Sequence, residues 1–152
     1  MNNKKAKHFL ITGASSGLGW AVSKKLLKNG SKVILTARSE YSFTELVNKY
    51  PNQVIYHLGD VNNEEFIEDL IESLPSNLSG VFINAGGPPA ATFEECSLED
   101  WDDAYKLLIR WKIQLVKGIL PIFQNNQEGT AIQQLPFFFW LINLAKSWHI
   151  KF

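Results

Sequence analysis

The sequence is poor in cysteine, in net charge and in long apolar runs near its start, and each shortage argues against a class of protein. Cys96 is the one cysteine among 152 residues, so no disulfide can form within the chain, and we expect a reducing compartment, the cytoplasm. Fifteen basic residues balance fifteen acidic ones, which gives no support for nucleic acid or a membrane surface as a partner. The apolar run after the basic N-terminus has only a few residues, whereas a membrane span needs about 20.

Histidine is also scarce, and the chain shows no spacing typical of a metal site. His8, His57 and His149 stand in unrelated contexts, so we expect them to be structural or surface residues. No arrangement of histidine and asparagine points to Cys96 as a nucleophile, and its thiol is expected to be buried or in a loop. We therefore predict no metal site.

The composition that is present is typical of one soluble globular domain. The chain is 45% hydrophobic and 20% charged, unlike a disordered protein. A chain of 152 residues can bury a sizeable core in a single domain. No internal repeat is present.

A glycine-rich loop follows the first apolar run and precedes an amphipathic segment. The run over residues 8–11 leads into Thr12–Gly19, which contains three glycines at positions 13, 17 and 19. A strand, a tight loop and a helix in this order form the layout of a dinucleotide phosphate site. We expect Gly13 to take a positive φ, Gly17 to let the backbone approach a ligand, and Gly19 to let the helix pack closely. An ordinary βα turn is the alternative interpretation.

Apolar strands and amphipathic helices alternate through the first part of the chain. Strands of this kind, each apolar enough to be buried on both faces, predict a parallel sheet with right-handed crossovers. The predicted fold class is α/β, a Rossmann-like doubly wound parallel sheet that is incomplete at its C-terminal side. The predicted strands are 8–11, 32–36, 53–58 and 80–83, and the predicted helices are 18–27, 42–50 and 63–74.

Two helical stretches are predicted after residue 96. Residues 97–100 resemble a capping box, and an apolar stripe that includes Trp101 and Tyr105 follows. We expect these aromatic rings to pack in the core, with stacking on a ligand as the alternative. A break or kink is expected near Gly118 and Pro121.

The composition changes after Glu128. No acidic residue follows, and Leu135–Ala145 is nearly all apolar. We predict a fifth strand opening at 129–132, within a division into a dinucleotide-binding domain over 1–128 and an atypical apolar tail over 129–152. The low-charge window Phe137–Trp140 predicts that the isolated chain aggregates or needs a partner.

Three motifs together resemble the short-chain dehydrogenase/reductase family. They are Thr12–Gly19, Asp60-Val61 and Asn84-Ala85-Gly86, which fall in the right order on the right elements. The resemblance covers residues 8 to about 128. Asn84–Pro89 and the helix that begins near Trp101 resemble the 3-oxoacyl-carrier-protein-reductase-like branch of that family.

The resemblance implies which residues hold a dinucleotide cofactor. Asp60 and Val61 would cradle the adenine, with a strand-end turn as the alternative role of Asp60. Asn84 would begin a path to the nicotinamide ribose, with a turn-forming role as its alternative. The implied cofactor residues outside the end of the second strand are Gly13, Ser15, Ser16, Gly17, Leu18, Gly19, Asp60, Val61, Asn84, Ala85 and Gly86.

The end of the second strand selects the cofactor. Sites that prefer NAD carry an acid there, which accepts from the ribose 2′-hydroxyl and would repel a 2′-phosphate. This chain has Ala37 at that place and Arg38 beside it, and a guanidinium can bind a phosphate through two parallel hydrogen bonds. We predict NADP(H) rather than NAD(H), with a solvated turn arginine as the alternative.

The catalytic residues implied by the resemblance are missing. The family uses a tyrosine four residues before a lysine as its proton donor. No tyrosine of this chain precedes a lysine at that distance, and Leu108 and Leu135 stand where the family has asparagine and serine. We therefore assign no catalytic residue.

Three interpretations remain open. The first is an NADP(H)-binding oxidoreductase by descent, acting on a carbonyl or alcohol substrate, whose catalytic segment is truncated or out of frame. The second is a catalytically inactive nucleotide-binding module. The third is an interaction protein that joins a partner through its apolar C-terminus. The expected partners are the cofactor and a small-molecule substrate, with no nucleic acid or membrane, and a homo-oligomer would form through the helices at 98–125.

Overall fold

Helices and strands alternate in the computed structural model, which describes residues 6–39, 43–89, 91–127 and 129–133. The strands are β1 (His8–Ile11), β2 (Lys32–Ala37), β3 (Val54–Leu58), β4 (Leu78–Ile83) and β5 (Thr130–Gln133). The helices are α1 (Gly17–Lys28), α2 (Thr44–Lys49), α3 (Glu64–Glu72), α4 (Leu98–Tyr105) and α5 (Trp111–Asn126). A π-helical segment, Lys106–Arg110, joins α4 to α5.

The described strands form one parallel sheet, which confirms the predicted fold class. The order is β3-β2-β1-β4-β5, and every neighbouring pair is parallel. The chain runs outward from β1 to β2 and β3 and then crosses back to place β4 on the other side of β1. Because the direction of winding reverses between β1 and β4, a crevice forms there at the carboxyl ends of the strands.

Each face of the sheet has its own core, because successive side chains of a strand point to opposite faces. One cluster includes Leu10, Ile34, Ile67, Leu70, Leu115 and Ile119. The other includes Ile11, Leu27, Leu35, Phe43 and Leu46. Burial of each such side chain stabilises the fold by about 1.5–3 kcal/mol.

The ends of two helices follow the sequence signals. Gly30 has a φ of +79° and donates its N–H to the carbonyl of Leu27, so α1 ends where Asn29-Gly30 predicts. The Ser97 side chain accepts from the N–H of Asp100, whose carboxylate accepts from the N–H of Ser97. The predicted capping box is confirmed.

The sequence predicts a break or kink near Gly118 and Pro121, and the prediction of a break is wrong. The helix α5 runs without interruption through both residues, and the irregular stretch is the π-helical segment before it. A Cβ at Gly118 would lie 2.4 Å from Cδ1 of Ile71, so this glycine allows close contact between α5 and α3. Pro121 lies on the exposed side of the helix.

The prediction that Trp101 and Tyr105 pack in the core is also wrong. Their exposed fractions are 52% and 50%, and that of Leu98 is 85%. The helix α4 contains no buried residue, because no described element other than the π-helical segment that directly continues it packs closely against it. The ring of Trp101 instead meets Phe93 edge-on, with 6.2 Å between ring centroids.

The remaining differences concern boundaries. The helix α2 begins at Thr44 rather than Ser42, and β4 begins at Leu78 rather than Gly80. The predicted fifth strand is present and pairs with β4. The apolar run over 135–145 and the aggregation window within it lie outside the described residues. Among the described helices, none combines the length and apolarity that crossing a membrane requires.

Candidate active site

A pocket of about 470 Å³ opens at the carboxyl ends of β1, β2, β3 and β4. It gathers every predicted cofactor residue except Gly19. The predicted residues that line it are Gly13, Ser15, Ser16, Gly17, Leu18, Ala37, Arg38, Asp60, Val61, Asn84, Ala85 and Gly86. Residues up to 73 positions apart in the sequence thus face one cavity, whose volume is within the range of small-molecule sites.

The glycine loop has the geometry that its residues predict. Gly13 has a φ of +57°, and a Cβ there would lie 2.6 Å from the carbonyl oxygen of Asn84. Gly17 has a φ of +55°, and a Cβ at this position would meet no atom of the described residues within 4 Å. Gly19 is buried, and its Cβ would lie 2.4 Å from the carbonyl oxygen of Gly13. Gly19 therefore allows α1 to pack against the loop and does not face the pocket.

The N-terminus of α1 faces the pocket with its first amides unclaimed by a cap. Ser16 is the N-cap, but its side chain makes no capping hydrogen bond, and the first turn contains no acidic residue. Leu18, in the first turn, is 51% exposed. Because the first N–H groups of a helix lack partners within the helix, this end can accept an anion.

Asn84 is joined to the glycine loop as well as lining the pocket. Its side-chain nitrogen donates to the carbonyl of Gly13 at 3.1 Å, and its backbone is bonded to the side chain of Thr12. The amide of Asn84 thus holds the ends of β1 and β4 together, and Ala85 and Gly86 continue along the wall of the pocket.

Asp60 lies in a tight turn at the end of β3. Its Oδ1 accepts the N–H of Asn62 at 2.9 Å, so the turn role proposed as an alternative is present. The residue also lines the pocket, as does Val61, which packs against the core cluster on the α3 side of the sheet. The two roles are compatible, because the turn orients the carboxylate.

Arg38 and Ala37 lie at the pocket end of β2. Ala37 is buried, and its carbonyl accepts the N–H of Gly59 at 3.0 Å. Arg38 is exposed and lines the pocket. Within the described residues, the ion pairs involve other cations, Lys24, Lys106 and Arg110. Among the described residues, none forms an ion pair with the Arg38 guanidinium.

Five further residues line the pocket that the sequence did not single out: Thr36, Gly59, Asn62, Gly87 and Leu107. Gly59, Asn62 and Gly87 adjoin the motifs and could have been found by extending them. The Oγ1 of Thr36 is buried and has no hydrogen-bond partner among the residues that the structure describes. Leu107 comes from the π-helical segment, which no sequence signal predicts.

The described residues contain no cluster of side chains able to hold a metal ion. His57 is half-buried at β3, with its Nε2 3.3 Å from Oγ of Ser73, and this burial lowers its pKa. Cys96 is a free, half-buried cysteine. Neither residue lines the pocket.

The chain is similar to known oxidoreductases. Residues 7–134 match the short chain dehydrogenase family. The NADP-dependent 3-hydroxy acid dehydrogenase YdfG of Shigella flexneri is 29% identical over 129 residues, covering 81% of this chain and 51% of the relative. Sulfoacetaldehyde reductase 2 of Chromohalobacter salexigens is 30% identical over 132 residues, covering 83% of this chain and 52% of the relative. The chain spans about half the length of the curated relatives it matches.

Solved structures show the same likeness. A short-chain dehydrogenase from Streptomyces avermitilis superposes with a TM-score of 0.79 at 28% identity, covering 84% of this chain and 48% of that one. The L-sorbose reductase of Gluconobacter frateurii, solved with NADPH and L-sorbose, gives a TM-score of 0.76 at 28% identity, covering 84% and 51%.

Proposed function

The chain belongs to the short-chain dehydrogenase/reductase family, and we propose that its pocket binds NADP(H) and that it is by descent an oxidoreductase of a carbonyl or alcohol substrate. The observation that carries the proposal is the meeting of the glycine loop, Arg38, Asp60 and Asn84 at one pocket. Two relatives support the choice of cofactor, since one is named NADP-dependent and one was solved with NADPH.

The pyrophosphate would lie at the N-terminus of α1. Ser15, Ser16, Gly17 and Leu18 line the pocket there, and the Ser16 side chain makes no competing cap hydrogen bond. The partial positive charge of the helix end favours a phosphate. The open space beside Gly17 leaves room for the backbone to approach it.

The adenine would lie between the end of β2 and the turn after β3. Asp60 can accept a hydrogen bond from an exocyclic amine, and Val61 offers an apolar surface to the ring. The turn closed by Asp60 and Asn62 holds the carboxylate in place before the ligand arrives, which lowers the entropy lost on binding.

Selection of the 2′-phosphate would fall to Arg38. One charge-assisted hydrogen bond contributes about 1.5–3 kcal/mol, which is roughly a ten- to hundredfold preference. Ala37 places no carboxylate nearby, so a 2′-phosphate meets no repulsion from that position.

The nicotinamide ribose would follow the wall formed by Asn84, Ala85 and Gly86. When bound, the nicotinamide supplies or accepts the hydride. Proton transfer is assigned to no residue, because no tyrosine of the chain precedes a lysine by four positions. The comparisons, which match oxidoreductases, give no support to an inactive module or an interaction protein.

We further propose that residues 1–128 form the dinucleotide-binding domain and that the helices at 98–125 mediate self-association. The exposed side chains of Leu98, Trp101 and Tyr105 support the second point, because large apolar side chains grouped on one helix mark interaction surfaces.

Titration of the purified full chain with NADPH and NADH, followed by cofactor fluorescence, tests the proposed function. We expect saturable NADPH binding that is at least about tenfold tighter than NADH binding. Binding of neither cofactor would overturn the proposal, and equal affinities would overturn its choice of NADP(H).

A further inference from the structure

The π-helical segment Lys106–Arg110 contributes to a wall of the pocket from outside the predicted motifs. Leu107, in this segment, lines the pocket. The indole nitrogen of Trp111 donates to the carbonyl of Leu107 at 2.6 Å, and Trp111 is buried in the core. A π-helix bonds residue i to i+5 and so departs from the α-helical hydrogen-bond pattern, and the indole of Trp111 gives the Leu107 carbonyl a donor next to this departure.

The same segment, together with the start of α5, is also bonded to the start of α3. Arg110 forms an ion pair with the carboxylate of Glu64, the first residue of α3. Gln114, one turn further along α5, donates its side-chain amide to the backbone carbonyl of Glu64 at 3.2 Å. Two side chains, one from the π-helical segment and one from the first turn of α5, therefore hold a single residue that lies about 50 positions away in the sequence.

Glu64 directly follows the loop that we call the β3–α3 loop, residues 59–63. Four residues of this loop, Gly59 to Asn62, line the pocket. The loop closes through a bond from the N–H of Asn63 to the carbonyl of Asp60 at 2.9 Å, and Asn63 caps α3. The position of Glu64 therefore influences the position of the turn that carries Asp60.

We propose that Arg110 and Gln114 are positioning residues for cofactor binding: by holding Glu64, they fix the β3–α3 loop against the π-helical segment. Neither residue lines the pocket, so both act through the loop. This inference rests on the proposed function, which assigns the loop to the adenine.

The chain offers a matched control for the Arg110 ion pair. Lys106 and Asp103 form an ion pair within one helix turn, with side-chain exposures of 55% and 65%. Those of Arg110 and Glu64 are 53% and 55%. The control pair starts in the same π-helical segment but does not reach the β3–α3 loop.

Binding of NADPH and of adenosine 2′,5′-bisphosphate to the full chain tests the inference. An exposed ion pair and a neutral hydrogen bond together predict roughly tenfold weaker binding of both ligands in the Arg110→Ala, Gln114→Ala double variant. Lys106→Ala is expected to bind as the wild type does, and Arg110→Lys to retain affinity within about twofold because it keeps the charge. The single Gln114→Ala variant, about two- to fivefold weaker, gives a second measurement if the double variant does not fold.

The outcomes separate the two proposals. A wild-type chain that binds no NADPH overturns the proposed function and this inference with it. Wild-type binding with unchanged affinity in the Gln114→Ala and double variants overturns the positioning role alone. An equal loss in Lys106→Ala also overturns it, because the effect would then not depend on the loop. Faster amide exchange at Asn62 and Asn63 in the ligand-free variants supports it.

Discussion

Thr12 and Asn84 hold each other through two hydrogen bonds, although they lie 72 positions apart. The hydroxyl of Thr12 donates to the carbonyl of Asn84 at 2.7 Å and accepts the N–H of the same residue at 2.8 Å. This joins the end of β1 to the end of β4 on either side of the point where the sheet reverses its winding. The glycine loop and the Asn84 wall of the pocket therefore keep a fixed separation.

Thr12→Val is expected to destabilise the fold and weaken cofactor binding together. It removes the hydroxyl and leaves both backbone groups of Asn84 without this partner, at a cost of about 1–3 kcal/mol. Urea unfolding measures the cost, and Thr12→Ser, which keeps the hydroxyl, is the control. If the valine variant unfolds at the same urea concentration as the wild type, the two hydrogen bonds between Thr12 and Asn84 are not important for stability.

Gly19→Ala is expected to displace the glycine loop. The added Cβ would lie 2.4 Å from the carbonyl oxygen of Gly13, and such overpacking costs about 1–3 kcal/mol. NADPH affinity should fall as well, because the loop bears the phosphate site. Ala21→Ser, at an exposed position of the same helix, should change stability by less than about 0.5 kcal/mol. Equal effects of the two variants would contradict close packing at Gly19.

Arg38→Ala is expected to remove the preference for NADPH. The ratio of NADH to NADPH dissociation constants should fall by roughly ten- to hundredfold, because the 2′-phosphate loses its charge-assisted partner. Lys28→Ala, which removes an exposed cation outside the pocket lining, should leave the ratio unchanged. If Arg38→Ala keeps the wild-type ratio of NADH to NADPH dissociation constants, another residue is responsible for the selectivity.

Self-association through 98–125 is expected to depend on α4. Replacing Leu98 and Trp101 with serine removes two exposed apolar side chains without touching the core, so the monomer should remain folded while association weakens. Sedimentation equilibrium at several concentrations measures this. A wild-type chain that is monomeric throughout would refute the proposed interface.

Stability is expected to fall as the pH drops below about 6.5, partly through His57. Burial lowers the pKa of this imidazole from 6.5, so the unfolded chain binds a proton more readily than the folded one. The contribution of His57 is therefore complete above the unfolded pKa and is lost as the pH falls toward the lower, folded value. Urea midpoints measured from pH 7 to pH 5 should decline less in His57→Gln. If the urea midpoints of the wild type and of His57→Gln decline equally, His57 does not contribute to the loss of stability at low pH.

Much of the fold could be predicted because its signals are local. The apolar run before Thr12, the Asn29-Gly30 stop and the Ser97–Asp100 capping box each act within a few residues, and each is confirmed. Trp101 is different, since its helical spacing predicts one face of a helix but not whether another element covers that face. It is half exposed because no described element other than the adjoining π-helical segment packs closely against α4.

The candidate site also contains residues that the sequence could group and one that it could not. Motifs at the ends of successive parallel strands must meet at one edge of the sheet, so Gly13, Asp60 and Asn84 could be grouped from the sequence, and they line one pocket. Their individual cofactor contacts stay predictions. Leu107 could not be grouped with them, because its position at the pocket depends on a π-helical segment that no residue pattern predicts.

The sequence by itself determined the order of strands and helices, the conformation of the glycine loop and the residue types offered to a dinucleotide. Each of these depends on backbone preference, apolar spacing or side-chain chemistry within a short stretch. Only the tertiary structure decided that Thr12 bonds to Asn84, that Gly118 meets Ile71, and that Arg110 holds Glu64. These contacts join residues that the chain separates widely, and their geometry exists only after both faces of the sheet are packed.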